Sequence, residues 1–485
     1  MQKKKSVKIN FILNSLRVLM NMIFPLLSFP YAAKVLLPEG IGIVSYAQSV
    51  VSYFLLFAML GIPTYGIRAC AKVRENKRLL SKTVKEIWVI NNITMFLTYI
   101  VYFIAILTIK EFSNNIMLYL ITGLTILFNV IGLEWLFQAL EEYAYITIRS
   151  FVFKLICIVL LFIFVKDSDD YVNYALISVL SSYGSNVLNL FFARKFLDFS
   201  VKIDYSGLFK HFKPILNLFA ITAAASVYSN LDTIMLGKMT SNVEVGYYTT
   251  AIKIKTIVLT IVNSLSTVLL PRTSYYLANG LIREYNAAIN KALNFVKILS
   301  FPLVIFFVIF AKSSIILISS ESYIPAVSSM RLIMPTVIVS GFSSIIGMQI
   351  YVSRGKENIV MKSAICGAVS DIILNYILIK FYAAAGASLA TTITEIIVLC
   401  MELYMGRDII KHCNIRIKIL KPLLALVLPS VMCVLFLIFF QFDPFFTLLI
   451  GGLLFFASYY LQLLLFKDEI VLEMIHIFQK TINVR

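Results

Sequence analysis

Arg17 stands in the stretch "NFILNSLRVLMN" with Asn10, Asn14 and Asn21, each three or four residues from the next. That spacing puts all four on one face of a helix. A guanidinium on such a face can grip an oxyanion through two parallel hydrogen bonds, which an ammonium cannot do; snorkelling toward a polar boundary is the plainer use of the same side chain. Other ionisable residues lie in equally apolar runs: Glu134, Asp232, Asp371, Glu395 and Glu402 among the acids, Lys154, Lys253 and Lys255 among the bases. Taking a charge to the middle of a bilayer costs about 2.5–3.5 kcal/mol on insertion scales, so each is a candidate for function. Asp371 and Asn375, in "AVSDIILNYIL", share a face; Thr391, Thr394 and Glu395 follow in the next run, and Asn230 and Asp232 sit in "SNLDTIMLGK". Oxygen groups converging from these three runs could bind a sodium ion or share a proton, or only hold helices together by hydrogen bonds.

The elements that must carry these groups are membrane helices. Of 485 residues, 60% are hydrophobic and 14% charged, and the mean hydropathy is +0.88. About fourteen continuous apolar runs each suffice to cross roughly 30 Å of hydrocarbon as a helix. A β-barrel would show shorter segments of alternating polarity. The fold class is therefore all-α integral membrane. "MQKKKSVKIN" looks like the start of a signal peptide, but no small-residue cleavage pattern follows, and a retained first span is expected. Lysine and arginine gather in alternate connections, above all "RACAKVRENKRLLSKTVK". The positive-inside rule then places both termini of a multi-pass protein in the cytoplasm.

The net charge of +18 is dispersed among these connections rather than collected in one soluble domain, which argues for anionic lipid and topology and against nucleic acid. The six cysteines are scattered, with no CxxC pair; neither a disulfide framework nor a zinc site is expected, and small core residues are. The three histidines, His211, His412 and His476, read as surface residues of cytoplasmic segments. Pro25, Pro30, Pro214, Pro302 and Pro335 stand within or at the ends of spans, where proline can kink a helix.

A weak internal repeat aligns "KVLLPEGIGIVSYAQSV" with "KMTSNVEVGYYTTAIKI", pairing Lys34 with Lys238, Gly42 with Gly246, Ala47 with Ala251 and Arg68 with Arg272. Two six-span halves related by an axis along the membrane normal are a common transporter plan. The expected divisions are 1–205 and 206–405 for the halves, and 406–485 for two further spans and a cytoplasmic tail. The outer connections, such as "KDSDDY" and "ESYIPA", are too short to house the accessible acid or base of an enzyme. A transporter is expected, with no catalytic residue, no cofactor and no metal beyond sodium.

"FPLLSFPYAAKVLLPEGIGIVSYAQSVVSYF", "GLEWLFQALEEY" and "YSNLDTIMLGKMTSNVEVGYYTTAIKI" followed by "LLPRTSYY" resemble the polysaccharide-transporter, or Wzx-type, branch of the multidrug/oligosaccharidyl-lipid/polysaccharide (MOP) exporter superfamily. The resemblance implies two six-helix lobes around a central cavity, as in MATE transporters, opened alternately to the two faces of the cell membrane. It also implies a substrate, an undecaprenyl-diphosphate-linked oligosaccharide repeat unit flipped from the cytoplasmic to the outer leaflet for surface polysaccharide synthesis. The pathway's polymerase and glycosyltransferases would then be partners. On this reading Arg17, Asn14, Lys154, Lys253 and Asn230 line the diphosphate path. The lysine of "AIKI" is the one the resemblance selects over Lys255. Arg149 and Lys154 match basic positions of the fifth span, although Arg149 also fits a plain cytoplasmic charge. Asp232, Asp371, Asn375, Thr394 and Glu395 are the candidates for coupling to sodium or protons. The competing functions are a multidrug/cation antiporter, which should have a more acidic cavity, a lipid II flippase of the same fold, and a membrane polymerase or glycosyltransferase.

Overall fold

In lipid every backbone N–H and C=O must find its partner within the spanning segment, and this chain meets that demand with helices: no strand occurs among the described residues. The computed structural model describes residues 7–202, 206–413, 415, 419–468 and 472, leaving aside the side chains of 7–23, 206, 220–222, 224–229, 265, 267, 268, 270 and 271. Among the described residues eleven helices are long and apolar enough to cross a membrane. Two of these segments, Phe24–Val73 and Glu357–Met405, run to 50 and 49 residues. At about 1.5 Å per residue each is roughly twice as long as the ~30 Å layer requires. Each is also broken. Leu37 leaves the helical region (φ 58°, ψ 178°) directly before Pro38, whose ring disfavours a helical residue in front of it. Ala383 does the same in the second segment (φ 46°, ψ −125°). A left-handed φ at a residue with a Cβ costs about 1–3 kcal/mol and persists only where the surroundings hold it.

The chain divides into two compact units, Met1–Gly246 and Tyr247–Arg485. In the first, the Val7–Met59 helix packs against Lys77–Thr108, Ile116–Ile131, Tyr143–Phe164 and Phe209–Met239. Ile62, Leu80, Ile87, Trp135, Phe137 and Ile215 pack together in its core. In the second, Ile282–Ile309 packs against Thr336–Ser344 and Leu420–Phe439, and Ala326–Ile333 against Glu357–Met405. The last two helices, Leu420–Phe439 and Pro444–Leu465, bury Cys433, Phe455 and Tyr459 against Phe306 and Phe310.

Two glycines that the expected repeat pairs, Gly42 and Gly246, each lie against the other's segment in the first unit. A Cβ on Gly42 would stand 1.7 Å from the carbonyl oxygen of Asn242, and one on Gly246 would stand 2.0 Å from that of Pro38. Glycine is required at both places because a side chain would collide with backbone.

Candidate functional site

In the second unit the break at Ala383 folds the Glu357–Met405 segment back on itself. Gly386 makes the reversal possible, since a Cβ there would meet the Leu378 carbonyl oxygen at 2.1 Å. The reversal brings Asp371, 1% exposed, to Thr394, whose hydroxyl donates to Asp371 Oδ1 at 3.1 Å. Asn375, one turn beyond Asp371, is wholly buried, as is Thr394, and Glu395 is 9% exposed. Thr391 meets the Tyr248 hydroxyl at 3.1 Å, which ties the Asn242–Ala278 helix to the same face. Four of the five predicted coupling residues thus lie on the two arms of one hairpin. The fifth, Asp232, is buried on the Phe209–Met239 helix of the first unit.

The bases fall in contrasting places. Lys154 is buried in the Tyr143–Phe164 helix with its ammonium 5.9 Å from the centre of the Phe24 ring, a favourable place for a cation removed from water. Lys253 is exposed and Lys255 half-buried, on different faces of their helix. Asn230 is half-buried. Arg149 is not a plain surface charge. It is buried, donates to Asn189 Oδ1 and to Asn186 Oδ1, the latter at 3.0 Å, and stands 5.6 Å over the Tyr145 ring. The two asparagines in turn donate to the carbonyls of Gly132 and Phe128, so the guanidinium pins three helices together. The side chains of Asn10, Asn14, Arg17 and Asn21 lie outside the described residues.

Three further polar groups escaped the sequence. Glu86 is fully buried, with His211 Nε2 and Lys210 Nζ both 2.8 Å from Oε2 and the Tyr65 hydroxyl 2.6 Å from His211 Nδ1. The imidazole thus bridges the carboxylate and the phenol, one ring nitrogen to each. His211, read from the sequence as a surface residue, is 3% exposed; its partners are far away along the chain, and no local pattern announces them. His412 is exposed as expected, and His476 lies outside the described residues. Lys297 is 1% exposed and donates to Asn294 Oδ1 at 2.8 Å. Gln349, fully buried in a π-helix at Ile345–Tyr351, donates to the Ser266 carbonyl and accepts from Thr273, both at 2.6 Å. Four of the six cysteines are buried, with Cys366 half-buried and Cys400 exposed. Among the described residues no group of three or more His, Cys, Asp or Glu could hold a metal ion.

Comparison with known proteins fits this architecture. Residues 7–277, more than half the chain, match the family described as "Polysaccharide biosynthesis protein", and residues 218–377 match the MatE family. A "Putative O-antigen transporter" of Escherichia coli (strain K12) is 22% identical over 392 residues, 80% of this chain and 94% of that protein. A protein of the same description from Shigella dysenteriae is 22% identical over 412 residues, 82% and 99% of the two chains. Among solved structures, "Lipid II flippase MurJ, inward closed conformation" superposes with a TM-score of 0.76 at 16% identity, covering 95% of this chain and all of that one. An inward-facing multidrug resistance MATE family transporter of the MOP superfamily gives 0.63 at 13% identity, covering 82% and 95%. The fold is that of these transporters.

Proposed function

Because the chain belongs to the polysaccharide biosynthesis protein family, we propose that it flips an undecaprenyl-diphosphate-linked oligosaccharide repeat unit from the cytoplasmic to the outer leaflet of the cell membrane. The observation that carries this reading is the likeness, over 80% of the chain, to a protein described as an O-antigen transporter. The intramembrane bases supply the charge logic. A diphosphate brings negative charge into a low-dielectric path, where a fixed cation offsets much of its desolvation. Lys154, buried beside an aromatic ring, and Lys253, exposed on its helix, are cations of that kind, and Arg17 would add a bidentate grip.

In this proposal the halves 1–205 and 206–405 form lobes that alternate access to a central cavity, with 406–485 outside the repeat and both termini cytoplasmic. The Asp371–Thr394 pair with Asn375 and Glu395, joined by Asp232, couples the movement to a sodium or proton gradient. The polymerase and glycosyltransferases of the same surface-polysaccharide pathway are the partners that consume and supply the lipid-linked unit.

The test is translocation of a polyprenyl-diphosphate oligosaccharide in proteoliposomes, read as its exposure to a membrane-impermeant glycosidase. Lys253→Ala and Arg17→Ala should each slow it about tenfold or more, the factor equivalent to one charged hydrogen bond of ~1.5 kcal/mol, with the protein still in the membrane. An unaltered rate in the double variant would remove both residues from the path. Transport of lipid II but not of the oligosaccharide lipid would overturn the substrate.

A further inference from the structure

Two spans of the first unit are broken, and the breaks meet. The span Ile116–Ala139 leaves the helix at Gly132 and Leu133, the latter at φ 44°, before resuming as Glu134–Ala139. The span Tyr171–Ala193 tightens to a 3₁₀ turn at Gly184–Asn186. Two carbonyls at the first break accept from side chains at the second, Phe128 from Asn186 at 3.2 Å and Gly132 from Asn189. Arg149 donates to both asparagines. Irregular backbone at membrane depth is tolerated where it is buried with partners of this kind or lines a wet space, and a left-handed residue held by its surroundings is characteristic of ligand sites.

The break leaves one face open. In Glu134–Ala139 the residues Trp135, Leu136, Phe137 and Ala139 are buried, whereas Glu134 and Gln138, one turn apart, are half-exposed. The Gln138 amide donates to Glu134 Oε1 at 3.3 Å. Asn129 and Tyr183, on the two broken spans, are half-exposed as well. The Tyr183 hydroxyl hydrogen-bonds with the Asn129 side chain and lies within electrostatic reach of Glu134, and Asn129 Nδ2 donates to the Thr125 carbonyl at 2.9 Å. In a membrane span such a polar face meets water or a polar ligand rather than hydrocarbon. A carboxylate accepts hydrogen bonds, while amides and a phenol both donate and accept. That set matches sugar hydroxyls, which also do both. A phosphate would bring its negative charge against a carboxylate.

We propose that Asn129, Glu134, Gln138 and Tyr183 form a glycan subsite that pairs with sugar hydroxyls of the lipid-linked unit, a deepening of the flippase reading on which it rests. Lys154, assigned there to the diphosphate, stands on the same helix as Arg149 and about 7.5 Å farther along its axis, so the sugar and diphosphate subsites are neighbours. The buried Arg149 network holds the two breaks in place, and the breaks present the four side chains. A site built to pair with hydroxyls rejects a sugar that lacks them, because its own polar groups are then left unpaired.

Equilibrium binding to the full chain in nanodiscs tests the subsite without transport. The probes are the undecaprenyl-diphosphate oligosaccharide extracted from the source cells and undecaprenyl diphosphate bearing no sugar. The wild type should bind the first about tenfold or more tightly than the second. Glu134→Gln should lose about that factor, equivalent to one charged hydrogen bond, for the oligosaccharide lipid alone. Gln138→Ala and Tyr183→Phe, neither of them part of the buried network, should each lose several-fold, and they serve should E134Q not fold. Affinity for undecaprenyl diphosphate should be the same in all four proteins. Equal binding of the two lipids by the wild type, unchanged affinity for the oligosaccharide lipid in the variants, or an equal loss for both lipids would each overturn the glycan subsite. Sugar-dependent binding with the expected variant pattern but no flipping in proteoliposomes would overturn the flippase reading and leave the subsite standing. Binding of neither lipid would overturn both.

Discussion

At the scale of single residues, Glu86 and Asp371 show opposite degrees of legibility. Asp371 could be found because Asn375 follows it at helical spacing and Thr394 stands in the next run. Glu86 could not: it reads as one more charge in a basic connection, and its partner His211 is 125 residues away. Only the tertiary fold turns the two into a buried pair. Removing either side leaves a buried polar group of the other without that hydrogen bond, at a cost of about 1–3 kcal/mol, so Glu86→Ala and His211→Ala should each destabilise the chain in detergent thermal unfolding. Their effects should not add. The double variant should come out roughly 1–3 kcal/mol more stable than the sum of the singles implies, and simple additivity would mean that the contact stabilises nothing. Lys297 was missed for a similar reason, since a lysine near a span boundary reads as a snorkelling one until the packing around it is known.

At the scale of elements, hydropathy located the apolar runs and separated the one that holds Asp371 from the one that holds Thr394, but it could not say which residue between them turns the chain. Pro38 hints at the irregularity of Leu37, whereas nothing in "FYAAAGASLA" marks Ala383, an ordinary helix former held at φ 46°. The conformation there is imposed by the hairpin that closes around it. Gly386 is the residue that lets the hairpin close, with 2.1 Å between its imagined Cβ and the Leu378 carbonyl oxygen. Gly386→Ala should therefore force the arms apart at a cost of about 1–3 kcal/mol, read as lowered thermal stability. Its sharper signature is a lost Asp371–Thr394 contact, which cysteines introduced at those two positions would report as slower crosslinking. Unchanged crosslinking would mean that the arms absorb the methyl elsewhere.

At the scale of the whole molecule, the sequence carried the class, an all-helical multi-pass membrane protein, through composition alone, because the cost of burying charge leaves a coarse signal in any polytopic chain. The Arg68–Lys85 connection holds Arg68, Lys72, Arg74, Lys77, Arg78, Lys82 and Lys85, and such density on the outer side would oppose insertion. Single cysteines placed along it should react with a membrane-impermeant reagent only after the cytoplasmic face is opened, and labelling in intact cells would invert the topology. The internal repeat was legible as a handful of identities, and the structure gives one of them a meaning. Gly42 abuts the backbone at Asn242, and Gly246, its counterpart in the repeat, abuts the backbone at Pro38, its partner's equivalent. Each of these two segments is shaped against the main chain of the other. Substitution is thus not free at this seam: a side chain gained at either glycine meets backbone, and backbone cannot mutate to make room.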